Sequence, residues 1–71
     1  MCKKKLFKEQ LKLVRVQKGF TQKQLADAVA INRSTIGHWE TGIREPDIDY
    51  LCRLADVLDV SLDWLTGRSD K

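Results

Sequence analysis

Apolar residues recur along this chain at helical spacing, and nowhere do they alternate strictly as a half-buried strand requires. Phe7, Leu11 and Val14 stand at i, i+4 and i+7, which predicts a helix from about Leu6 to Lys18. Gly19 is placed to end it in the left-handed backbone conformation. At about 100° per residue, Lys5, Lys8, Lys12 and Arg15 gather on a second face. Leu6, Leu13 and Val16 belong to neither face. They read either as scattered exposed aliphatics, which are common, or as a strip for a protein partner. Thr21-Gln22-Lys23-Gln24 has the form of a capping box, with Phe20 and Leu25 placed to close over it as a hydrophobic staple. The helix that follows is about eight residues long, with Leu25, Ala28 and Val29 on its apolar face and the small Ala26 beside them. After a short break at Ala30-Ile31, Asn32 is the expected N-cap of a third helix running through Glu40 to Gly42. Only Ile36 and Trp39 look like core there. Residues 41–46 form a loop ending in the single proline, Pro46. Asp47 caps a fourth helix carrying Ile48, Leu51, Leu54, Ala55 and Leu58. Ser61 caps a short fifth, Leu62 to Leu65, closed by Gly67. The polar tail from Arg68 to Lys71 is expected to fray.

Composition narrows this picture. With 71 residues there is room for one domain, and 42 % apolar against 32 % charged residues is a globular mix rather than a disordered one. No run approaches the roughly 20 apolar residues of a membrane helix. The start, Met-Cys-Lys-Lys-Lys-Leu-Phe-Lys, has no apolar stretch behind its basic residues, so it does not read as a secretory signal. The expectation is a cytoplasmic protein with reduced thiols, away from membranes. The net charge of +3 conceals a gradient. Residues 1–24 carry eight Lys/Arg against Glu9 alone, residues 25–44 balance, and residues 45–71 hold seven acids and three bases. A basic end on a small domain suggests a polyanionic partner.

Enzyme chemistry finds little support. His38 is the only histidine, and Cys52 falls in a core-type helix beside Leu51 and Ala55, so no Cys–His pair is expected. Zinc needs about four ligands, which Cys2, Cys52 and His38 cannot supply. No metal and no cofactor are expected. The informative pair is 21–29 and 32–40, two short helices whose brief connection forces them to cross steeply. Leu25, Ala26, Val29, Ile31, Ile36 and Trp39 can hold that angle, Ala26 by its small size. The N-terminal half of the second helix then projects outward with Arg33, Ser34 and His38 exposed. Such a helix fits a DNA major groove about 12 Å wide. Arg33 can donate two bonds to guanine O6 and N7, Ser34 can donate or accept, and His38 can donate to a base or a phosphate. The free N–H groups at the start of helix 21–29 favour a phosphate, and Gln22 can add a side-chain donor to it.

The stretch Phe20-Thr-Gln-Lys-Gln-Leu-Ala-Asp-Ala-Val-Ala-Ile-Asn-Arg-Ser-Thr-Ile-Gly-His-Trp-Glu-Thr-Gly42 resembles the helix-turn-helix of the phage-repressor/Cro-like (XRE) family. Pro46 to Leu65 is similar to that family's fourth and fifth helices, and Leu11-Lys-Leu-Val-Arg15 to its first. The resemblance implies an all-α, five-helix, lambda-repressor-like DNA-binding domain. It spans 1–71 with a core at 7–67, a helix-turn-helix at about 21–40 and a recognition helix at about 32–40. It further implies a sequence-specific regulator, expected to be a repressor, that binds double-stranded DNA at a palindromic operator as a homodimer. By position, Arg33, Ser34 and His38 resemble base-reading residues, and Gln22, Thr35, Thr41 and Arg44 resemble phosphate contacts. The chain departs from the family at four positions. Ala30 replaces the turn glycine, Asp59 replaces the glycine before Val60, and Leu13 and Val16 stand where polar residues are usual. The alternative is a protein-interaction module, antitoxin-like or an anti-regulator component, using helix 1 or helix 5. Such a module would not need the exposed Arg33/Ser34/His38 face.

Overall fold

The computed structural model describes residues 6–67, and the expectations for Cys2, for Lys5 and its basic neighbours, and for the tail 68–71 lie outside them. In chain order the helices are α1 (Phe7–Gln17), α2 (Gln22–Ala28), α3 (Arg33–Thr41), α4 (Ile48–Leu58) and α5 (Leu62–Leu65), with no strand among the described residues.

Most helix starts are set by the side chains that the sequence put there. Thr21 Oγ1 accepts from Gln24 N at 3.0 Å, and Gln24 Oε1 accepts from Thr21 N at 2.9 Å, completing the capping box. Asp47 accepts from Tyr50 N and Ser61 from Trp64 N. Asn32 differs: it occupies the N-cap position of α3, but its side chain makes no capping bond. Backbone bonds anchor this entry instead, Ile31 N to Ala26 O at 2.9 Å and Thr35 N to Asn32 O at 3.0 Å.

Three helices end in the same way. One residue turns left-handed, and the next donates its N–H back to a carbonyl five residues earlier. The left-handed residue is Gly19 after α1, Ala30 after α2 and Asp59 after α4, with φ of 81°, 62° and 57°. The returning bonds are Phe20 to Arg15, Ile31 to Ala26 and Val60 to Ala55. The turn at Ala30 therefore keeps the glycine conformation without the glycine. Alanine is strained there by roughly 1–2 kcal/mol, while glycine would add freedom to the unfolded chain. Ala30→Gly is expected to raise stability by about 0.5–1 kcal/mol net. A urea midpoint that fails to rise would contradict this account of the turn.

The core draws on every helix. Leu11 of α1, Leu25 of α2, Ile36 of α3, Leu54 and Leu58 of α4 and Leu65 of α5 are each 0 % exposed. Trp39 meets Tyr50 of α4 at 5.6 Å between ring centroids. Trp64 is half-buried against the same core. Gln10 is buried among apolar neighbours, and its Nε2 donates to the Trp64 carbonyl at 3.2 Å, tying α1 to α5.

Four expectations are corrected. Ala28 is exposed and Ala26 is the buried one, because Ala28 lies about 200° around the helix from it. Cys52 is exposed, since it stands about 100° from the Leu51/Ala55 stripe. Ile48, at the first position of α4, is largely exposed. Arg15 is part of no solvated basic face; it is half-buried in an ion pair with Glu40. Leu6, Leu13 and Val16 are exposed, as their position off both faces predicts, and isolated exposed aliphatics are ordinary on a protein surface. No helix among the described residues is long and apolar enough to cross a membrane.

Candidate nucleic-acid interface

The pair α2–α3 is built so that α3 cannot turn. Ile36 and Trp39 are sealed on one side, at 0 % and 4 % exposure. Ala26, 1 % exposed, lets α2 come close to α3. The opposite side of α3 is left free with Ser34 and His38 exposed on it, and Arg33 is exposed at its flank beside α2. Ser34 and His38, four apart, share one face, with Arg33 one position earlier at the tip. Thr35 is half-buried.

At the far end of α3, Gly42 takes φ 84° and the chain leaves in a tight loop. The His38 carbonyl accepts from Gly42 N at 3.1 Å, from Arg44 N at 3.3 Å and from Thr41 Oγ1 at 3.2 Å. Thr41, the last residue of α3, and Arg44, on this anchored loop, are both exposed. A side chain at 42 would meet only the flexible end of Lys8, so it is the backbone angle that calls for glycine there. Nine helical residues at about 1.5 Å each separate the Arg33 end from the Thr41/Arg44 end by roughly 12–13 Å.

Along the side of α3 that faces α2, from Arg33 to Glu40 two turns later, the structure brings together residues from three helices. Arg33 Nη1 donates to Gln22 Oε1 at 3.3 Å, and Gln22 Nε2 donates to Glu40 Oε1 at 3.1 Å. Arg15 of α1 grips both oxygens of Glu40, Nε on Oε2 at 2.5 Å and Nη2 on Oε1 at 3.3 Å. Its Nη1 also donates to the Phe20 carbonyl at 2.8 Å. The Arg15 and Glu40 side chains are only 12 % and 4 % exposed. Of these four side chains, Gln22 and Arg33 were predicted as site residues; Arg15 and Glu40 were not. The one sequence signal for Glu40 is that it is the sole acid on α3, next to buried Trp39. Among the described residues, no group of three or more His, Cys, Asp or Glu is placed to hold a metal ion.

Two short helices locked across a tight turn, the second showing its polar side outward, define a helix-turn-helix protein. A family model described as "Helix-turn-helix" matches residues 11–65, and the chain belongs to that family, in its XRE-type, phage-repressor-like branch. It is similar to the HTH-type transcriptional regulator YqaE of Bacillus subtilis (strain 168), 45 % identical over 60 residues that cover 84 % of this chain and 52 % of the relative. The chain spans about half the length of the curated relatives it matches. Among solved structures it is similar to the P22 c2 repressor in complex with synthetic operator 9T. The TM-score is 0.85 at 26 % identity, covering 92 % of this chain and 98 % of that one. It is also similar to the biofilm master regulator SinR in complex with DNA, with a TM-score of 0.79 at 28 % identity, covering 84 % and 97 % of the two chains. The five-helix, lambda-repressor-like fold expected from the sequence is the fold these structures share.

Proposed function

We infer that this chain is a DNA-binding transcriptional regulator, sequence-specific for double-stranded DNA and acting as a repressor. The observation that carries this reading is the exposed Arg33/Ser34/His38 side of a helix whose other side is sealed into the core. Arg33, Ser34 and His38 read base edges in the major groove. Gln22 and the first turn of α2 meet a phosphate at one end, and Thr41 and Arg44 meet another beyond the far end of α3. Thr35 adds a phosphate contact between them. Residues 7–67 form the DNA-binding unit, and its place of action is the cytoplasm, with the DNA. The family and fold are those of regulators, not of enzymes.

The P22 c2 repressor and SinR structures named above are complexes with a synthetic operator and with DNA, which supports a duplex as the partner here. One copy presents one α3, so a palindromic operator calls for a homodimer with half-sites about 34–36 Å apart. Sedimentation that finds a monomer both free and on a palindromic duplex would remove the homodimer. The reading as a pure protein-interaction module through Leu6, Leu13 and Val16 is the weaker one, because it leaves the Arg33 face without a purpose.

Selection of bound sequences from random duplexes tests the reading directly. Arg33→Ala is then expected to weaken binding to the selected duplex by about 1–3 kcal/mol and to relax preference at one base pair. Equal losses on selected and random duplexes would refute base reading by Arg33.

A further inference from the structure

The Glu40 side chain is 4 % exposed and paired with Arg15, which leaves it too enclosed to touch a duplex. It nevertheless connects to the reading face through Gln22. A carboxylate only accepts hydrogen bonds and a guanidinium only donates them. Gln22 stands between one of each, its Nε2 on Glu40 Oε1 at 3.1 Å and its Oε1 under Arg33 Nη1 at 3.3 Å. Reversing the amide would set its NH2 against a guanidinium and its oxygen against a carboxylate, replacing two attractions by two repulsions. Glu40 therefore decides which way the Gln22 amide points. Glu40 itself cannot turn, because Arg15 holds both of its oxygens and is anchored in turn on the Phe20 carbonyl. These bonds are charge-assisted along most of the chain, which makes them strong and directional.

We propose that Glu40 is a positioning residue for base recognition, holding the Arg33 guanidinium at the tip of α3, through the fixed Gln22 amide, before DNA arrives. The proposal rests on the reading of Arg33 as a base reader. A guanidinium already held in place loses less freedom on binding. Gln22 can serve both ends, since one proton of its NH2 faces Glu40 and the other remains for a phosphate oxygen. Substitutions at Gln22 would mix these two roles. Glu40 separates them, because a buried carboxylate can change base discrimination only through its neighbours.

The experiment uses Glu40→Gln, which nearly keeps the shape but lets position 40 offer Gln22 either an oxygen or an NH2. Affinity is measured for the duplex that the wild-type protein selects, for the same duplex with the Arg33-dependent base pair changed, and for an unrelated duplex. The ratio of the first two is expected to fall roughly three- to tenfold while binding to the unrelated duplex stays within about twofold. The fall should be absent in an Arg33→Ala background. An equal loss on all duplexes, or the same fall without Arg33, would overturn the proposal, since those are the marks of a merely structural role. If circular dichroism shows Glu40→Gln unfolded, Glu40→Asp reads the same ratio; it keeps the charge beside Arg15 but draws the carboxylate back from Gln22. A full ratio in the folded Glu40 variant overturns this proposal alone. A wild-type protein with no preferred duplex overturns the function on which it rests.

Discussion

Arg15→Met is expected to destabilise the domain by about 3–5 kcal/mol, because it leaves the Glu40 carboxylate buried without its counter-charge. The side chain of Glu40 is 4 % exposed, and Arg15 supplies two of the three donors recorded on its oxygens. The same substitution removes the donor on the Phe20 carbonyl, just where the chain enters the cap of α2. At about 0.05–0.15 kcal/mol per residue, a domain of this size holds only roughly 4–10 kcal/mol of stability. The variant should therefore lie close to its unfolding transition at room temperature, with a thermal midpoint lower by about 15 °C or more. Urea and thermal denaturation followed by circular dichroism measure both. Pairing Arg15→Met with Glu40→Leu should recover much of the loss, since replacing both charges by apolar groups removes the unpaired carboxylate. If Arg15→Met melts within a few degrees of wild type, the ion pair is a surface pair and not the buried one described above.

The features that could be read from the sequence are those set within a few residues of chain. Thr21 with Gln24, Asp47 and Ser61 cap because the donor they satisfy lies three residues on. Ile36 and Trp39 stood out as the only large apolar residues on an otherwise polar helix, and both are buried. The turn at Ala30 needed the family resemblance, because nothing in alanine's own preferences points to positive φ. The Arg15–Glu40 pair was invisible for a different reason. Its members are 25 residues apart, and Arg15 falls on a helical wheel beside Lys8 and Lys12, where it reads as one more solvated cation. Gln10 was legible in principle: it lies three residues after Phe7 and four before Val14, on the buried face, so a polar group there demanded an internal acceptor. Cys52 and Ala28 are exposed although each adjoins a buried stripe, because an apolar side chain beside such a stripe has the same local pattern as one within it. The assignment of Arg33 to base reading stands on exposure and chemistry, and the duplex experiments above test it.

Ile36→Ala should cost about 2–5 kcal/mol, the range for removing a large aliphatic side chain from a closed core. Ile36 is 0 % exposed on α3, between helices that meet over Ala26. Ile36→Val should cost only about 0.5–1.5 kcal/mol and serves as its graded control. The effect on DNA binding separates stability from reading. If the variant folds to the same structure but spends part of its time unfolded, its apparent affinity falls by the folded fraction alone. That factor is the same for every duplex, so the ratio between selected and unrelated sequences stays at the wild-type value. Added duplex also pulls the variant back to the folded form by mass action, which circular dichroism follows as recovered helix signal. Arg33→Ala should do the reverse, leaving the melting curve of the free protein in place and reducing the ratio. A fall in the ratio for Ile36→Ala would mean that the cavity tilts α3 and moves Arg33, Ser34 and His38 off their bases. The core beneath the recognition helix would then set specificity as well as stability.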